Sequence, residues 1–485
     1  MALSWPLHDV QATRTIERQA QSQLPPHTLM QRAGLATAQL ALALAPHAQR
    51  IWIACGPGNN GGDGIEAAIH LHQWGKQVCV TCTAPPETWP ADAQTSWQRA
   101  QSAGIRLETT APPSFDMGID ALLGIGCHHA PNGVMAQWLE RLQNSEALVL
   151  QVDTPSGLLC DSGQWLGKAK TLATPGPRHT LSLLTLKLGL FTAEGRDAAG
   201  DVWFNGLGVD THHIAPTAWL QTHVPAPASR QHNSHKGTYG DVIVIGGAPG
   251  MAGAAVLASL AALHAGAGRV YAGLHDEATH AAVTAAHPTL MVRRVDSLHF
   301  ENATVVCGCG GGDTVCADLP RVLSTAAQLV LDADALNAIA NDPALMLLLQ
   351  QRGKRQRPTV LTPHPLEAAR LLGCTTTEVQ SQRLKAAQAL AEQCASVVIL
   401  KGSGSVIAQA QHTPVINHSG NGLLATAGTG DVLAGWTGAL LAQGYDAFTA
   451  ACIATHRHGA LAHAWPAAGP ALTASGLIAR ITSGH

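Results

Sequence analysis

Two series of short apolar runs constrain this chain more than any other feature. Each run ends in Gly, Pro, Asp or Thr, and helical patterns separate the runs. In the first half the runs are "QRIWIAC" (49–55), "QVCVTCT" (77–83), "DMGIDALLG" (116–124), "ALVLQVD" (147–153) and "TLSLLTL" (180–186). Helical patterns fall at 62–74, 91–103 and 134–143. Short apolar runs of this kind read as buried strands, and strand–helix alternation implies a parallel sheet covered on both faces. A second series starts at "GDVIVIGG" (240–247). It continues through "GRVYAGL", "ATVVCGCG", "AQLVLDADAL", "PTVLTPH" and "SVVILKG". Two long Ala-rich helices follow, at about 430–442 and 447–465. The expectation is α/β with two domains: a Rossmann-like doubly wound domain over 1–212 and a second α/β domain over 225–485. Residues 213–235 are rich in Pro and polar residues and serve as a linker or as the strand leading into the second domain.

Composition supports this and excludes other classes. The chain has 485 residues, 46% of them hydrophobic and 13% charged, with a net charge of −3. That leaves no basic field for nucleic acid. The basic stretch "RGKRQR" (352–357) suits a helix end leading into a strand. Of eleven Cys only Cys79 and Cys82 are spaced C-x-x-C, within the strand run "QVCVTCT", and "CGC" at 307–309 has the wrong spacing for zinc, so reduced thiols in the cytoplasm are expected. The pairs His128-His129, His212-His213 and His456/His458 lack a supporting Cys or acidic partner at metal spacing. A signal peptide and a membrane span are not expected.

The first series contains "GPGNNGGDG" (56–64), where Gly56, Gly58 and Gly61 satisfy G-x-G-x-x-G. A strand, a Gly-rich turn and a helix N-terminus form an anion site. The dinucleotide fingerprint also asks for an acidic residue roughly 20 positions on. Thr81 and Thr83 stand there instead, so hydride transfer is disfavoured. Asn59, Asn60 and Asp63 add side-chain oxygens, which suit a hard cation, to backbone amides, which suit an anion. Two more strand ends carry similar groups: Asp120 before Gly124 and Gly126, and Asp153 before Pro155, Ser156 and Gly157. Each Asp alone also suits a turn; together they favour a site outside the carboxyl ends of the strands. Asp153 is a natural general acid or base.

In the second series, Gly428-Thr429-Gly430-Asp431 precedes a long small-residue helix. Such glycines let backbone amides approach a phosphoryl group, and the Asp can take a proton from an attacking hydroxyl. "VILKGSGSVIA" (398–408) reads as a hairpin with Lys401 at its turn, and "LTPHPLE" places His364 and Glu367 at a helix start.

"GPGNNGGDG", "DALLGIG" and "DTPSGL" resemble the NAD(P)H-hydrate epimerase domain of bifunctional NAD(P)H-hydrate repair enzymes, over about residues 10–210. The resemblance implies a substrate site at Asn59, Asn60, Gly61, Gly62, Asp63, Gly124, Ile125, Gly126, Cys127, His128, His129, Ala130 and Asp153. It makes Asp153 the acid/base and Asn60, Asp120 and Ser156 the ligands of a potassium ion. The loop "CHHAPNGVMAQ" departs from the Arg-Pro-like stretch usual in relatives.

"HKGTYGDVIVIGG", "LDADALN", "LTPHPLE" and "AGTGDVLAG" resemble the ribokinase-like, ADP/ATP-dependent NAD(P)H-hydrate dehydratases, over about 225–485. That likeness implies nucleotide binding by Lys401, Gly402, Ser403, Gly404, Ser405 and Gly430, with Mg2+. It implies a hydrate site at Ala254, Gly310, His364 and Asp431, with Asp431 catalytic. Departures are Leu366 for a usual Gly, "CGCGGG" for a Gly-Pro-Gly-x-Gly turn, and Leu424 for a usual Met. The expected function is repair of hydrated NADH and NADPH. The first domain interconverts the R and S hydrates. The second dehydrates the S form, yielding AMP from ADP or ADP from ATP, and phosphate. Partners are then small molecules, with no nucleic acid and no membrane, in a cytoplasmic homo-oligomer. Two rivals stay open: a small-molecule kinase with an accessory domain, and a nucleotide sensor without turnover.

Overall fold

The computed structural model describes residues 4–167, 175–226 and 229–482. Residues 227–228 of the expected linker, and residues 1–3, 168–174 and 483–485 of the two expected domains, lie outside the described residues. The chain divides into two compact units, Pro6–Ala218 and Trp219–His485 with Met1–Trp5. The strand Ala218–Gln221 lies inside the segment 213–235 and pairs with Val415–Asn417.

In the N-terminal unit seven parallel strands form one sheet. Their order is Leu107–Glu108, Gln77–Cys82, Arg50–Cys55, Met117–Ala121, Leu148–Val152, Arg178–Leu183 and Asp201–Asn205. Both faces are covered, as the unbroken apolar runs require. Ile53, Ile119 and Leu150 belong to a core that includes Ile65 and Ala68 of the helix Asn59–Gln73. Trp52, from the same strand as Ile53 but the opposite face, packs with Trp138 and Leu142 of the helix Gly133–Gln143. From Arg50–Cys55 the chain builds outward in one direction, then returns to build in the other from Met117–Ala121. The reversal point lies between these two strands, where ligands of doubly wound sheets bind. The loops after them touch: Gly56 N donates to Ala121 O at 3.0 Å, and a Cβ on Gly56 would collide with the Leu122 carbonyl.

The run 180–186 is not one strand. It stops at Leu183 and resumes only at Leu186–Lys187, because Leu184 adopts φ 65. A left-handed residue ends a strand by turning the chain. Here the turn carries Lys187 back toward Asp153.

In the C-terminal unit the strand order is Met291–Arg293, Arg269–Leu274, Asp241–Gly246, Thr304–Cys307, Gln328–Leu331, Thr359–Leu361, Val397–Leu400, Val406–Ala408, Val415–Asn417 and Ala218–Gln221. All neighbours are parallel except the two pairs made by Val406–Ala408. The reversal point falls between Asp241–Gly246 and Thr304–Cys307. The helices Ala252–His264 and Thr429–Ala442 pack over it, sharing one core with Val242, Val244 and Val306. Their Ala and Gly content permits close approach: a Cβ on Gly435 would strike the Ala258 carbonyl. The "RGKRQR" stretch spans the end of the helix Pro343–Lys354, where the buried Arg352 guanidinium donates to Leu323 O and Ala326 O at 3.1 and 2.8 Å. Among the described residues no helix is long and apolar enough to cross a membrane.

Candidate active sites

The reversal point of the N-terminal sheet opens into a cavity of about 390 Å³, within the usual range for small-ligand sites. Asn59, Asn60, Asp63, Gly124, Ile125, Gly126 and Asp153 all line it. Gly61 and Gly62 are buried beside it, against Gly56 and Met30. Cys127, His128, His129 and Ala130 are not among its lining residues; Cys127 is buried, with Sγ 3.7 Å from His129 O.

Asp153 sits just past the end of Leu148–Val152 with φ 67. This left-handed conformation is costly for a residue with a Cβ and collects at functional sites. Its backbone N donates to Leu181 O at 2.8 Å, and Leu183 N donates to its Oδ1 at 3.1 Å. The buried Lys187 ammonium forms an ion pair with the same Oδ1 and also donates to Leu183 O at 2.6 Å. Beside Asp153 the cavity receives Arg14 and Glu17 from the helix Val10–Gln23. Burial, then the Asp153 charge, pushes the Glu17 carboxyl above its ordinary value. Burial raises Asp63 well above its ordinary value, with Asp153 and Glu17 adding to the effect.

Asp120 and Ser156 meet under the two loops. Ser156 Oγ donates to Asp120 Oδ1 at 2.6 Å, and Ser156 N donates to Oδ2 at 3.2 Å. Leu122 N adds a third donor at 3.1 Å. Burial raises the Asp120 carboxyl while these donors work to lower it. Asn60 lies against Gly124, and both polar atoms of its side chain are buried without a hydrogen-bond partner. Buried amides without partners are costly.

The C-terminal site gathers at the start of the helix Thr429–Ala442. Gly428, left-handed with φ 86, is its N-cap and turns the chain so that Gly430 and Asp431 fall in the first turn. Lys401, which follows the strand Val397–Leu400, donates to Asp332 Oδ1 at 2.7 Å. A Cβ on Gly430 would stand 3.4 Å from Lys401 Nζ, so the turn after Val397–Leu400 and the helix start adjoin. Ligand atoms of Cys309, Asp332 and Asp431 lie within 4.8 Å of one another. Burial, then the Asp332 charge, pushes the Asp431 carboxyl up to about 7. Burial works to lower the Lys401 ammonium, but the Asp332 and Glu367 carboxylates outweigh it and hold it above its ordinary value.

Gly310 packs against Ala254, joining the loop after Thr304–Cys307 to the first turn of Ala252–His264. His364 caps the helix Pro365–Leu372. Its Nδ1 accepts from Leu366 N and Glu367 N at 3.1 and 3.3 Å, while Glu367 Oε2 accepts from His364 N at 2.7 Å. Nδ1 is thereby committed as an acceptor, which leaves Nε2 as the ring's proton-bearing nitrogen. Leu366, a departure from the family pattern, is exposed within this cap, and Leu424 O accepts from Thr429 Oγ1 at 2.9 Å. Burial pushes Glu367 up to about 7. The turn Lys401–Ser405 is held from behind by the buried Arg383. Its Nη2 donates to Leu400 O, Lys401 O and Gly404 O at 3.3, 3.2 and 3.3 Å.

Sequence reasoning missed Glu17, Lys187, Asp332 and Arg383. Asp332 carried a usable signal, since it ends a strand as Asp153 does. Lys187 and Arg383 carried none, being 34 and 18 residues from Asp153 and Lys401.

Known proteins are similar to this chain in sequence. Residues 26–189 match the family described as YjeF-related protein N-terminus, and residues 242–482 match that described as NAD(P)H-hydrate dehydratase. The bifunctional NAD(P)H-hydrate repair enzyme Nnr of Escherichia coli (strain K12) is 34% identical over 90% of this chain and 84% of its own length. The ADP-dependent (S)-NAD(P)H-hydrate dehydratase of Neisseria meningitidis serogroup B is 43% identical over 50% of this chain and 84% of its own length. A solved ADP/ATP-dependent NAD(P)H-hydrate dehydratase from Bacillus subtilis, co-crystallized with ATP/Mg2+, is 31% identical. It covers 53% of this chain and 92% of that one, with a TM-score of 0.45. By the match along nearly its whole length to repair enzymes of this two-domain kind, the chain belongs to the family of bifunctional NAD(P)H-hydrate repair enzymes.

Proposed function

We propose that this chain restores hydrated NADH and NADPH on its own residues, epimerising the hydrates at the N-terminal site and dehydrating the S form at the C-terminal site. The observation that carries this is the pairing, on one chain, of two sheet-reversal sites that each hold a Lys–Asp ion pair beside a second carboxyl group.

At the C-terminal site Asp431 accepts the proton of the C6 hydroxyl as that oxygen attacks the terminal phosphoryl group of ADP or ATP. A carboxyl group near pH 7 is well matched to such a transfer. Gly430 and the turn Lys401–Ser405 surround the phosphates with backbone amides, and Lys401 adds a charge that Asp332 orients. Phosphate then leaves C6 far more readily than hydroxide would, and loss of a C5 proton restores the dihydronicotinamide. Ala254, Gly310 and His364 line the hydrate side, where His364 offers an Nε2 proton. Mg2+ would enter on the nucleotide phosphates, with Asp332 and Asp431 as the nearest protein carboxylates. When bound it neutralises charge on the phosphoryl group. The Lys401 ammonium on Asp332 argues against an all-protein magnesium cage.

At the N-terminal site the loop Asn59–Asp63 and residues 124–126 take the dinucleotide, and Asp153 handles protons at C6. Residues 127–130 follow directly on the lining residues 124–126 and extend the substrate site. The orphaned Asn60 amide, with Asp120 and Ser156, fits a hard monovalent cation. Held there, potassium would supply positive charge beside the diphosphate. Eleven unpaired cysteines support a reducing, cytoplasmic location.

The test is direct. Purified protein is mixed with chemically hydrated NADH and either ADP or ATP, and absorbance of the dihydronicotinamide band is followed. Full recovery from both isomers is expected. No recovery with either nucleotide overturns the dehydratase assignment, and recovery of the S portion alone overturns the epimerase assignment.

A further inference from the structure

C6 of the hydrate carries a hydroxyl and a bond to the ring nitrogen. Inversion by hydroxyl exchange has two halves. An acid first protonates the hydroxyl, and the C6–O bond breaks as the N1 lone pair forms a C6=N1 iminium. Water then adds from the other face and surrenders a proton to a base. One carboxyl group cannot border both faces, so the reaction calls for a second.

The cavity offers Glu17, Asp63 and Asp92 besides Asp153. Asp63 lies in the first turns of the helix that forms the anion loop, and Asp92 stands 3.6 Å from His27 Nδ1. Glu17 is different. It lies one helical turn beyond Thr13, on the same face of Val10–Gln23. Thr13 Oγ1 is hydrogen-bonded to Thr185 Oγ1 at 2.8 Å, both side chains buried. Thr185 is two residues before Lys187, the ion-pair partner of Asp153. One short buried bridge thus fixes the helix face that carries Glu17 against the segment that holds Asp153. The charged and titratable groups facing Glu17 are Asp153, Lys187, Arg14, Asp92 and Asp63. Asp153 has the ammonium as its partner, whereas burial and Asp153 itself favour the protonated form of Glu17. A carboxyl group favoured in its acid form, bordering the same cavity as one tied to an ammonium, is placed to give up a proton.

We propose that Glu17 is the second catalytic carboxyl group of the N-terminal site, working across the nicotinamide ring from Asp153. From one isomer, Glu17 gives its proton to the departing hydroxyl, which leaves as water, and Asp153 takes the proton of the attacking water. From the other isomer the same groups act in reverse. Each turnover breaks one C6–O bond, forms one, and moves one proton from one carboxyl group to the other; exchange with solvent resets the pair. This inference rests on the assignment of Asp153 above.

The experiment follows epimerisation of a single isomer by chromatography, without nucleotide, in water labelled with heavy oxygen. One labelled oxygen should enter per inversion. Glu17→Gln should slow inversion in both directions by about 10²-fold or more, while nucleotide-dependent dehydration of the S isomer is unchanged and the hydrate still binds. Glu17→Ala should be equally slow and regain rate with added formate, a rescue that a merely structural residue does not give. The proposal is overturned if Glu17→Gln keeps more than a tenth of the rate or if no label enters. Loss of hydrate binding together with no formate rescue overturns it as well. Asp153→Asn separates the two assignments. If it alone is slow, Glu17 falls and Asp153 stands; if it stays fast, the Asp153 assignment falls.

Discussion

The two units use the same backbone device and distribute their charges differently. In each, a glycine ending the first central strand lies under the loop of its neighbour: Gly56 under Leu122, and Gly246 under Cys309. Each then presents an Asp just past a strand end and pairs it with a lysine from further along the chain: Asp153 with Lys187, and Asp332 with Lys401. The difference lies in the carboxyl group left over. In the C-terminal unit the leftover Asp431 rides on a helix N-terminus and is pushed up to about 7. In the N-terminal unit the strand-end Asp153 faces the cavity itself, in a left-handed conformation, with Glu17 beside it. A strand-end Asp–Lys pair is therefore a platform in both units. On the proposed roles, the neighbours decide whether the paired Asp handles substrate protons itself or orients a lysine.

The largest effect expected from breaking this comparison is at Asp431. Asp431→Ala should lower repair of both hydrates by about 10³-fold, read as lost absorbance recovery with ADP and with ATP, while R/S interconversion without nucleotide continues. Asp153→Ala should leave the S hydrate repaired at full rate. Its R hydrate should be repaired only at the spontaneous epimerisation rate, a loss of about 10²-fold or more.

Lys187→Met should act on stability as well as rate. It leaves a largely buried carboxylate without its cation, and the N-terminal unit should lose about 3 kcal/mol, measured from the denaturant midpoint. Adding Asp153→Asn to Lys187→Met should recover much of that stability without recovering epimerase rate.

Arg383→Lys keeps the charge but loses the planar fork that holds the turn Lys401–Ser405. The KM for nucleotide should rise about tenfold, roughly 1.4 kcal/mol, with epimerase activity unchanged. An equal loss of both activities would show that Arg383 only supports folding.

The smallest effect concerns pH. With Asp431 as the proposed base, kcat/KM for S-hydrate dehydration should fall as pH drops below about 7. The stability term has the opposite sense. Asp431 and Glu367 both sit at about 7 in the fold, above their unfolded values, so the folded state holds extra protons. Their contribution is fully present below the unfolded carboxylate range and is lost as pH rises through about 7. Asp431→Asn should flatten that slope in denaturant titrations between pH about 4 and 7.

Much of this was legible in the sequence, for local reasons. The continuous apolar runs reported sheets buried on both faces, and "GPGNNGGDG" and "AGTGDVLAG" reported loops that enter helices at their N-termini. Thr81, which stands near where a ribose-binding acid would be expected, is buried and accepts from Trp52 Nε1 at 2.9 Å. The run 180–186 misled because its apolar pattern carries straight through Leu184, whose left-handed turn is imposed from outside, by the pairing of Leu186–Lys187 with the strand Ser4–His8.

The sequence by itself determined the two α/β units, the loops at their strand ends and the acids within those loops. These depend on periodicity and on short-range turn chemistry, which act between residues close along the chain. Only the tertiary structure decided which lysine neutralises which Asp, that Glu17 from the first helix shares a cavity with Asp153, and that Arg383 braces the turn Lys401–Ser405. Those relations are Coulombic and steric. They depend on distance through space and on burial, and the parallel crossovers of both sheets separate spatial neighbours by tens of residues.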